Sequence, residues 1–458
     1  MPKQKLSASF RDPSGFVFRD KNGTLLRYVS KSYQREFDFL HSSGLIDELW
    51  SKGLLVKHQD YTKQYGLPDK DCFKIIKPQE IEFISYPYEW SFSQLKDVAL
   101  ATLKIQKIAL QHGMVLKDAS AYNIQFVNGL PRLIDTLSFE RYQPNEPWVA
   151  YRQFCQHFLA PLALAVYVDI RLLKLLREYI DGIPLDLASS LLPAKTKFKP
   201  QLSMHIHLHA RSQRKYADSR KFKKPKVSLR SLQNLVHSLE AVIDSLKWKP
   251  ANTEWGDYYS FTNYDDEAFK AKAAIVSKMI KRVKPANVWD LGANTGEFSR
   301  LASQQGVFTV AADVDPVAVE KNYLQVKRQK ETSILPLLMD LTSPSPDLGW
   351  ANQERESLAK RGPTDLIMAL ALIHHLAISN NVPLVEVAGY LSRLGKYLII
   401  EFVPKEDSQV QKLLVSRKDI FDNYNQAGFE AAFGQHYDLV EAAKVKNSKR
   451  TIYLFKAK

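Results

Sequence analysis

The C-terminal half of the sequence predicts an α/β fold, and the N-terminal half predicts a separate α+β domain in front of it. From about residue 251 to 458, apolar strand-like runs alternate with segments of helical spacing, as in β-α-β units. Two of these runs end in acids, Asp290 and Asp313, and a glycine-rich turn follows the first. Residues 1–200 mix short strand-like runs with longer helical ones, and residues 201–250 combine a basic stretch with a helix. We therefore expect domains at 1–200 and 251–458, joined by a basic linker and helix at 201–250.

Composition predicts a globular protein of a reducing compartment. The chain has 458 residues, of which 45% are hydrophobic and 25% charged, as in ordinary globular domains. Cys72 and Cys155 are the two cysteines, too few for a disulfide framework or a cysteine zinc site. Residues 1–15 lack the apolar core of a secretory signal. Pro161 and Asp169 interrupt the longest apolar stretch, which favours a buried helix over a membrane span. These features predict a cytoplasmic location.

The formal net charge of +15 raises the question of an anionic partner. Residues 195–230 contain twelve Lys or Arg and one acid, Asp218. Such a run is a solvated linker or an arm that binds a polyanion; the linker is favoured, with docking to an anionic substrate as the alternative. His205, His207 and His209 alternate in this region and would lie on one side of a strand. Such histidines can bind metal, but an accidental cluster in a basic segment is favoured, so no metal site is predicted.

The turn "DLGANTG" indicates a ligand that approaches the backbone closely. Gly292 and Gly296 permit backbone angles and close contacts that other residues do not. The next strand ends in Asp313, a position suited to a ribose diol. A dinucleotide pattern starting at Gly292 would need glycine at positions 294 and 297, which are Asn294 and Glu297. A pyrophosphate cradle is therefore not predicted.

With its ordered neighbours, "DLGANTGEFS" resembles the first motif of class I S-adenosylmethionine-dependent methyltransferases. The resemblance implies a Rossmann-like sheet, with S-adenosyl-L-methionine as cofactor. Asp313 would hold the ribose, and Asp340 in "ILPLLMDLTSP" would lie near the adenine amine. The segment just upstream could fold over the cofactor, so Tyr259, Tyr264 and Lys272 are candidates to touch it, with simple packing as the favoured alternative for any one of them. The residues expected around the cofactor are Asp290, Gly292, Ala293, Asn294, Gly296, Asp313 and Asp340.

"TDLIMALALIHHL" is predicted to be the fourth strand of this sheet and its exit, and His374 and His375 lie in the exit. Ligands of such sheets bind at the carboxyl ends of the strands, so both histidines are candidate catalytic residues that could accept a proton. Packing or helix capping is the alternative. The family's base-methylating members carry "[DNS]PP[YFW]" at this place, which is absent here. This departure favours a small molecule, lipid or sugar as acceptor.

The N-terminal stretch "GMVLKDASAYNIQFVNGLPRLIDTLSFE" carries a second signature. The spacing of Asp118, Asn123 and Asp135 resembles the catalytic loop of kinase-like phosphotransferases, whose corresponding residues orient the hydroxyl and hold magnesium. Leu116 and Lys117 replace the usual residues before the first aspartate, and the hairpin at the N-terminus has no glycine-rich loop. A kinase-like domain without phosphotransfer activity is predicted, with a purely structural loop as the alternative.

A kinase-like half followed by a methyltransferase half resembles the bacterial methyltransferases grouped with nodulation host-specificity proteins. The resemblance implies methyl transfer to an oxygen or nitrogen of a small-molecule or glycan-like acceptor. Three alternatives stay open at this point. They are an RNA methyltransferase that uses the basic arm, a phosphotransferase that uses the N-terminal half, and a protein that binds the cofactor without turnover.

Overall fold

The computed structural model describes residues 4–210, 226–249, 266–415 and 418–458. The chain divides into two compact units. The first unit comprises Met1–Lys249 together with Leu348–Arg355, and the second comprises Pro250–Asp347 and Glu356–Lys458.

An antiparallel five-stranded sheet opens the first unit, in the order β1-β2-β3-β5-β4. Its strands are β1 (Gln4–Lys5), β2 (Gly15–Arg19), β3 (Leu25–Ser30), β4 (His58–Asp60) and β5 (Cys72–Pro78). Two smaller ladders follow, between β6 (Met114–Leu116) and β9 (Phe139–Arg141) and between β7 (Ile124–Val127) and β8 (Leu130–Leu133). The predicted hairpin of β2 and β3 is confirmed. Gly23 takes a φ of 79° in its turn, which glycine adopts readily.

The helices of the first unit surround these strands. They are α1 (Gln34–Ser42), α2 (Leu45–Ser51), α3 (Thr62–Tyr65), α4 (Phe92–Gln111), α5 (Tyr151–Phe154), α6 (Ala160–Tyr167), α7 (Leu175–Glu178), α8 (Leu185–Leu191), α9 (Pro200–Leu202) and α10 (Leu229–Ser245). Helix α4 begins after Ser91, whose hydroxyl accepts from the Gln94 backbone amide, a common N-terminal cap. Helix α6 is almost wholly buried, as predicted. No helix in the described ranges has both the length and the apolarity needed to cross a bilayer.

The prediction that His205, His207 and His209 lie on a strand is wrong. Residues Ser203–Leu208 are helical, because Leu202, Ile206 and Ala210 recur at every fourth position and are all buried. The two ring nitrogens of His205 form hydrogen bonds with the Tyr151 hydroxyl at 2.8 Å and the Ser238 hydroxyl at 3.0 Å. His207 likewise bonds Ser189 at 2.8 Å and Thr196 at 2.9 Å. These side chains are packing residues with hydrogen-bond partners, and no metal-ligand cluster occurs among the described residues.

The predicted boundary at residue 200 also needs correction. The first unit extends to Lys249, because helix α10 buries Leu232, Val236 and Leu239. Lys107 of α4 pairs with Glu240 of α10 at 2.7 Å. The described residues between 201 and 249 therefore belong to the first unit. Most of the basic arm, residues 211–225, lies outside the described residues.

The second unit is built on a seven-stranded sheet in the order β12-β11-β10-β13-β14-β16-β15. Its strands are β10 (Asn287–Leu291), β11 (Phe308–Asp313), β12 (Ile334–Leu338), β13 (Thr364–Ala369), β14 (Gly395–Phe402), β15 (Tyr437–Lys444) and β16 (Thr451–Ala457). Strands β10 to β14 pair in parallel, and β16 pairs antiparallel with β14 and β15. This arrangement confirms the predicted Rossmann-like sheet.

Helices cover this sheet, which explains why its strands read as nearly continuous apolar runs. They are α11 (Asp266–Val283), α12 (Ser299–Ser303), α13 (Pro316–Gln329), α14 (Leu384–Leu394), α15 (Ser408–Leu414) and α16 (Gln426–Gly434). Val276 and Ile280 of α11 pack with Val288 and Leu366 of the central strands. The chain order reverses at β10, since β11 lies on one side of it and β13 on the other. Ligands of open α/β sheets bind at such a switch point.

Candidate cofactor and acceptor site

A cavity of about 440 Å³ lies at the carboxyl ends of β10, β11, β12 and β13. Its volume is within the range of small-ligand sites, roughly 300–1,000 Å³. The segments after these strands line it, together with one face of α11. The predicted cofactor residues that line it are Asp290, Gly292, Ala293, Asn294, Asp313 and Asp340.

The glycine turn is tied to the next strand by backbone hydrogen bonds. The amides of Gly292 and Ala293 both donate to the Ala312 carbonyl, at 2.8 and 2.9 Å. The amide of Asn294 donates to the Asp313 carboxylate at 2.7 Å. Gly292 has a φ of 82°, and a Cβ there would lie 3.3 Å from the Leu372 side chain. The turn therefore needs glycine at this position to keep the cavity open.

Gly296 is placed differently from the expectation, because it does not line the cavity. With a φ of 84°, it packs against Asn322 and Arg300, whose atoms lie 2.6 to 2.8 Å from where a Cβ would stand. The Arg300 guanidinium donates to the Thr295 carbonyl at 2.8 Å and to Glu331 at 2.8 and 2.9 Å. Gly296 thus supports the turn from behind. The sequence analysis did not identify Arg300, and no local motif marks it.

Two carboxyl groups lie at the strand ends beside the turn, Asp290 buried and Asp313 partly buried. Burial raises the pKa of Asp290 to about 7, and the charge of Asp313 adds to this rise. The Ser299 hydroxyl donates to Asp290 at 2.6 Å and opposes the shift. Burial also raises the pKa of Asp313 to about 6, despite amides donated by Asp315 and Asn294. Both groups therefore take up protons near neutral pH when the cavity holds no cation.

Asp340 follows β12 and lines the same cavity. Its carboxylate accepts from the Thr342 amide at 2.9 Å and from the Thr342 hydroxyl at 2.6 Å. These bonds orient the side chain.

The two predicted catalytic histidines are separated by the structure. His375 lines the cavity, whereas His374 does not. His374 is only 1% exposed, and neither ring nitrogen has a hydrogen-bond partner within the described part of the chain. Burial lowers the pKa of His375 to about 4 and that of His374 well below its ordinary value. His375 is therefore a neutral imidazole at pH 7, in the helical turn His375–Ser379 that follows β13.

Lys272 of α11 also lines the cavity, but Tyr259 and Tyr264 lie outside the described residues. The Lys272 ammonium lies 2.6 Å from the carboxylate of Glu401, near the end of β14. Both side chains are nearly inaccessible, at 3% and 0% exposure. Burial lowers the pKa of Lys272, and the carboxylate of Glu401 opposes this shift. Glu401 was not identified from the sequence, although an acid inside the apolar run "YLIIEF" is a signal for it.

In the first unit, the phosphotransfer-like Asp135 follows β8 and is held by internal partners. An Arg27 guanidinium nitrogen lies 2.6 Å from its carboxylate and 3.0 Å from that of Asp12. The Leu137 amide and the Ser138 hydroxyl also donate to Asp135, at 2.9 and 2.7 Å. Arg27 thus bridges two carboxylates with its single positive charge, and 8% of its side chain is exposed.

The other two residues of this loop are also engaged within the first unit. The carboxylate of Asp118 accepts from the Ser120 amide at 2.9 Å and from the Gln153 amide side chain at 2.8 Å. Asn123 donates to the Ser138 hydroxyl at 3.3 Å.

Comparison with known proteins adds the family. No protein-family model matches the chain. The chain is 35% identical over 464 residues to nodulation protein NoeA of Rhizobium meliloti (strain 1021), and the match covers 98% of this chain and 96% of that protein.

Solved structures resemble smaller parts of the chain. Magnesium protoporphyrin IX methyltransferase of Synechocystis PCC 6803, with bound SAH, is 15% identical, with a TM-score of 0.32, and the match covers 44% of this chain and 92% of that one. N-methyltransferase NodS of Bradyrhizobium japonicum WM9 is 12% identical, with a TM-score of 0.30, and the match covers 42% and 98%. These scores are low, so the fold assignment stands on the strand order itself. The match to NoeA, in contrast, covers nearly the full length of both proteins at 35% identity. The chain therefore belongs to the family of the nodulation protein NoeA.

Proposed function

We propose that the chain is an S-adenosyl-L-methionine-dependent methyltransferase that transfers a methyl group to an oxygen or nitrogen of a small-molecule or glycan-like acceptor. The proposal rests on the cavity at the switch point of the sheet. Three carboxyl groups and the glycine turn line this cavity. When bound, the cofactor supplies an electrophilic methyl group on a sulfonium centre. Two free, buried cysteines agree with the cytoplasmic location that we also propose.

The residues of the cavity fit this cofactor chemically. Asp313 ends β11 with its carboxylate beside the turn, where it would accept from the ribose hydroxyls. Asp340 would accept from the adenine amine, and Asp290 would face the cationic amino-acid end. Gly292 and Asn294 have positive φ values and both line the cavity, so the turn brings its backbone close to the position of a ligand.

His375 is the proposed catalytic residue. A neutral imidazole can accept the proton that an acceptor hydroxyl or amine loses as it is methylated. Its low pKa keeps this capacity at neutral pH but makes it a weak base, so positioning of the acceptor provides much of the remaining rate. His374 lies outside the cavity and is proposed to pack behind it.

We expect His375→Gln to lower kcat by about 10²-fold, because general-base assistance contributes roughly 10²–10⁴-fold. The cofactor affinity should stay within about threefold, since Gln retains the polarity of the cavity wall. The measurement is transfer of labelled methyl groups to an acceptor found by screening saccharides and small hydroxylated or aminated compounds.

The matched control is His374→Gln, at the adjacent buried position. We expect this variant to keep its kcat per folded molecule, with any effect confined to stability. A larger loss of kcat in His374→Gln than in His375→Gln would reverse the assignment.

We further propose that the first unit does not transfer phosphate. The support is the position of Arg27, whose guanidinium stands between Asp12 and Asp135. In kinase-like enzymes the residue corresponding to Asp135 holds magnesium. A fixed internal cation satisfies the same carboxylate, so a metal would have to displace a buried ion pair.

Calorimetric titration of the full chain tests both proposals. S-adenosylmethionine and its demethylated product, S-adenosylhomocysteine, should each bind in the micromolar range. ATP with magnesium should give no heat of binding at the same concentrations. Binding of ATP without binding of either methionine derivative would overturn the methyltransferase proposal and move the chemistry to Asp118, Asn123 and Asp135.

A further inference from the structure

A second cavity, the edge cavity, lies in the first unit. Its volume is about 530 Å³, and residues of α1, α2, β4 and β5 line it. Strand β4 is the edge strand of the five-stranded sheet. Asp118, Asn123 and Asp135 do not line this cavity. The edge cavity is therefore separate from the phosphotransfer-like loop, and its size suits a small ligand.

Four rings that contact one another line the edge cavity, those of Phe37, His41, Trp50 and His58. The ring centres of Phe37 and His41 lie 4.6 Å apart. The ring centre of His58 lies 5.6 Å from that of His41 and 5.1 Å from that of Trp50. Burial lowers the pKa of both histidines, to about 4 for His58. At pH 7 the rings therefore form an uncharged aromatic surface, which the apolar face of a ligand can cover.

The charged groups of the edge cavity are two carboxylates and one ammonium, on Asp38, Asp60 and Lys74. Lys74 pairs with Asp60 at 2.6 Å, and its ammonium lies 6.0 Å from the centre of the Phe37 ring. The described lining contains no other lysine or arginine. A cationic ligand would meet the Lys74 ammonium, and an anionic ligand would meet the Asp38 carboxylate, since Lys74 already has its partner. The charges therefore favour an uncharged ligand.

The edge cavity also offers hydrogen-bonding groups to a ligand with several hydroxyls. The carboxylate of Asp38 can accept from two hydroxyls at once. Nε2 of His41 is buried and has no hydrogen-bond partner within the described part of the chain, which is unfavourable for a polar atom. A ligand hydroxyl that reaches this nitrogen after a small rotation of the ring would satisfy it, because a neutral imidazole nitrogen either donates or accepts.

We propose that the edge cavity binds a neutral saccharide. The C–H faces of a pyranose ring are apolar and carry partial positive charge, which the faces of aromatic rings attract. The sugar hydroxyls would bond Asp38 and His41, and the absence of charge matches the balance of the lining. Binding here takes place in the first unit and needs neither the cofactor nor methyl transfer.

Calorimetric titration and saturation-transfer NMR of the full chain test this site. The probes are maltotetraose, cellotetraose and the tetramer of N-acetylglucosamine. We expect at least one of them to bind with a dissociation constant in the millimolar range or tighter, and its ring C–H protons to receive saturation from aromatic protein protons. Asp38→Asn and His41→Phe should each lower the affinity about 3- to 30-fold, as for loss of a hydrogen bond.

Two controls make the same exchanges elsewhere. Asp47→Asn on α2 and His237→Phe on α10 change exposed residues that do not line the edge cavity, and both should keep the wild-type affinity. Asp38 is itself exposed, so Asp38→Asn should keep the wild-type Tm, and thermal unfolding checks this for every variant.

Lower affinity in both cavity variants, with neither control affected, supports the proposal. Absence of binding for all three saccharides overturns it. Tighter binding of tetramethylammonium or of the acidic trisaccharide of galacturonic acid would also overturn it, because the cavity would then select a charge. If His375→Gln lowers saccharide affinity and His41→Phe does not, the sugar binds in the second unit and the edge cavity is not its site.

Discussion

Asp313→Asn should weaken binding of S-adenosylmethionine about 10- to 100-fold. A carboxylate can accept from both ribose hydroxyls, and hydrogen bonds to charged groups contribute roughly 1.5–3 kcal/mol. The amide of asparagine keeps one acceptor oxygen and loses the charge. Titration calorimetry of the full chain measures the effect directly.

The control for this variant is Asp365→Asn. Asp365 lies near the start of β13, at the opposite end of the sheet from the cavity, where it pairs with Lys396 at 2.7 Å. We expect no change in cofactor affinity there. Equal affinities for wild type and Asp313→Asn would remove Asp313 from the site.

The pH dependence of binding follows from the same groups. The pKa of Asp290 is raised to about 7 and that of Asp313 to about 6, so both carboxyl groups gain protons as the pH falls through this range. Protonation removes the acceptors and the negative charge that the cofactor needs. Affinity in the wild type should therefore fall between about pH 7.5 and 5.5, and the fall should be smaller in Asp313→Asn.

Gly296→Ala should destabilise the second unit by about 2–5 kcal/mol. A left-handed conformation costs a non-glycine residue roughly 1–2 kcal/mol, and forcing a methyl group into filled space adds about 1–3 kcal/mol. At Gly296 both terms apply, because φ is 84° and a Cβ would stand 2.6 Å from Asn322 and 2.8 Å from Arg300. Urea unfolding, monitored by amide exchange within β10 and β11, separates this unit from the first.

Gly306→Ala provides the comparison. Gly306 has a φ of 80°, but no atom lies within 4 Å of the position of its Cβ. Only the conformational cost should appear there, about 1 kcal/mol. If the two variants lose the same stability, the packing of Gly296 against Arg300 does not matter, and its glycine serves the turn alone.

The strands of the second unit, and the acids that follow them, were predicted from the sequence. Strands β10 to β14 were readable because each is a short apolar run bounded by polar or turn residues. Asp313 followed from its position at the end of a parallel strand, whereas Asp290 and Asp340 were assigned from the resemblance to class I methyltransferases. The hairpin of β2 and β3 was also predicted, because its Asn-Gly turn is a local signal.

The sequence did not predict which of the candidate site residues line the same cavity, because this depends on how the strands and helices pack. The tertiary structure places His375 at the cavity and the preceding residue, His374, in the core. It makes Gly296 a packing residue and joins Lys272 to Glu401 across 129 positions. It also sets Arg27 against Asp135 in the first unit. Such pairs carry no periodic or local signal, because the distance along the chain does not limit which side chains meet once the strands and helices have packed.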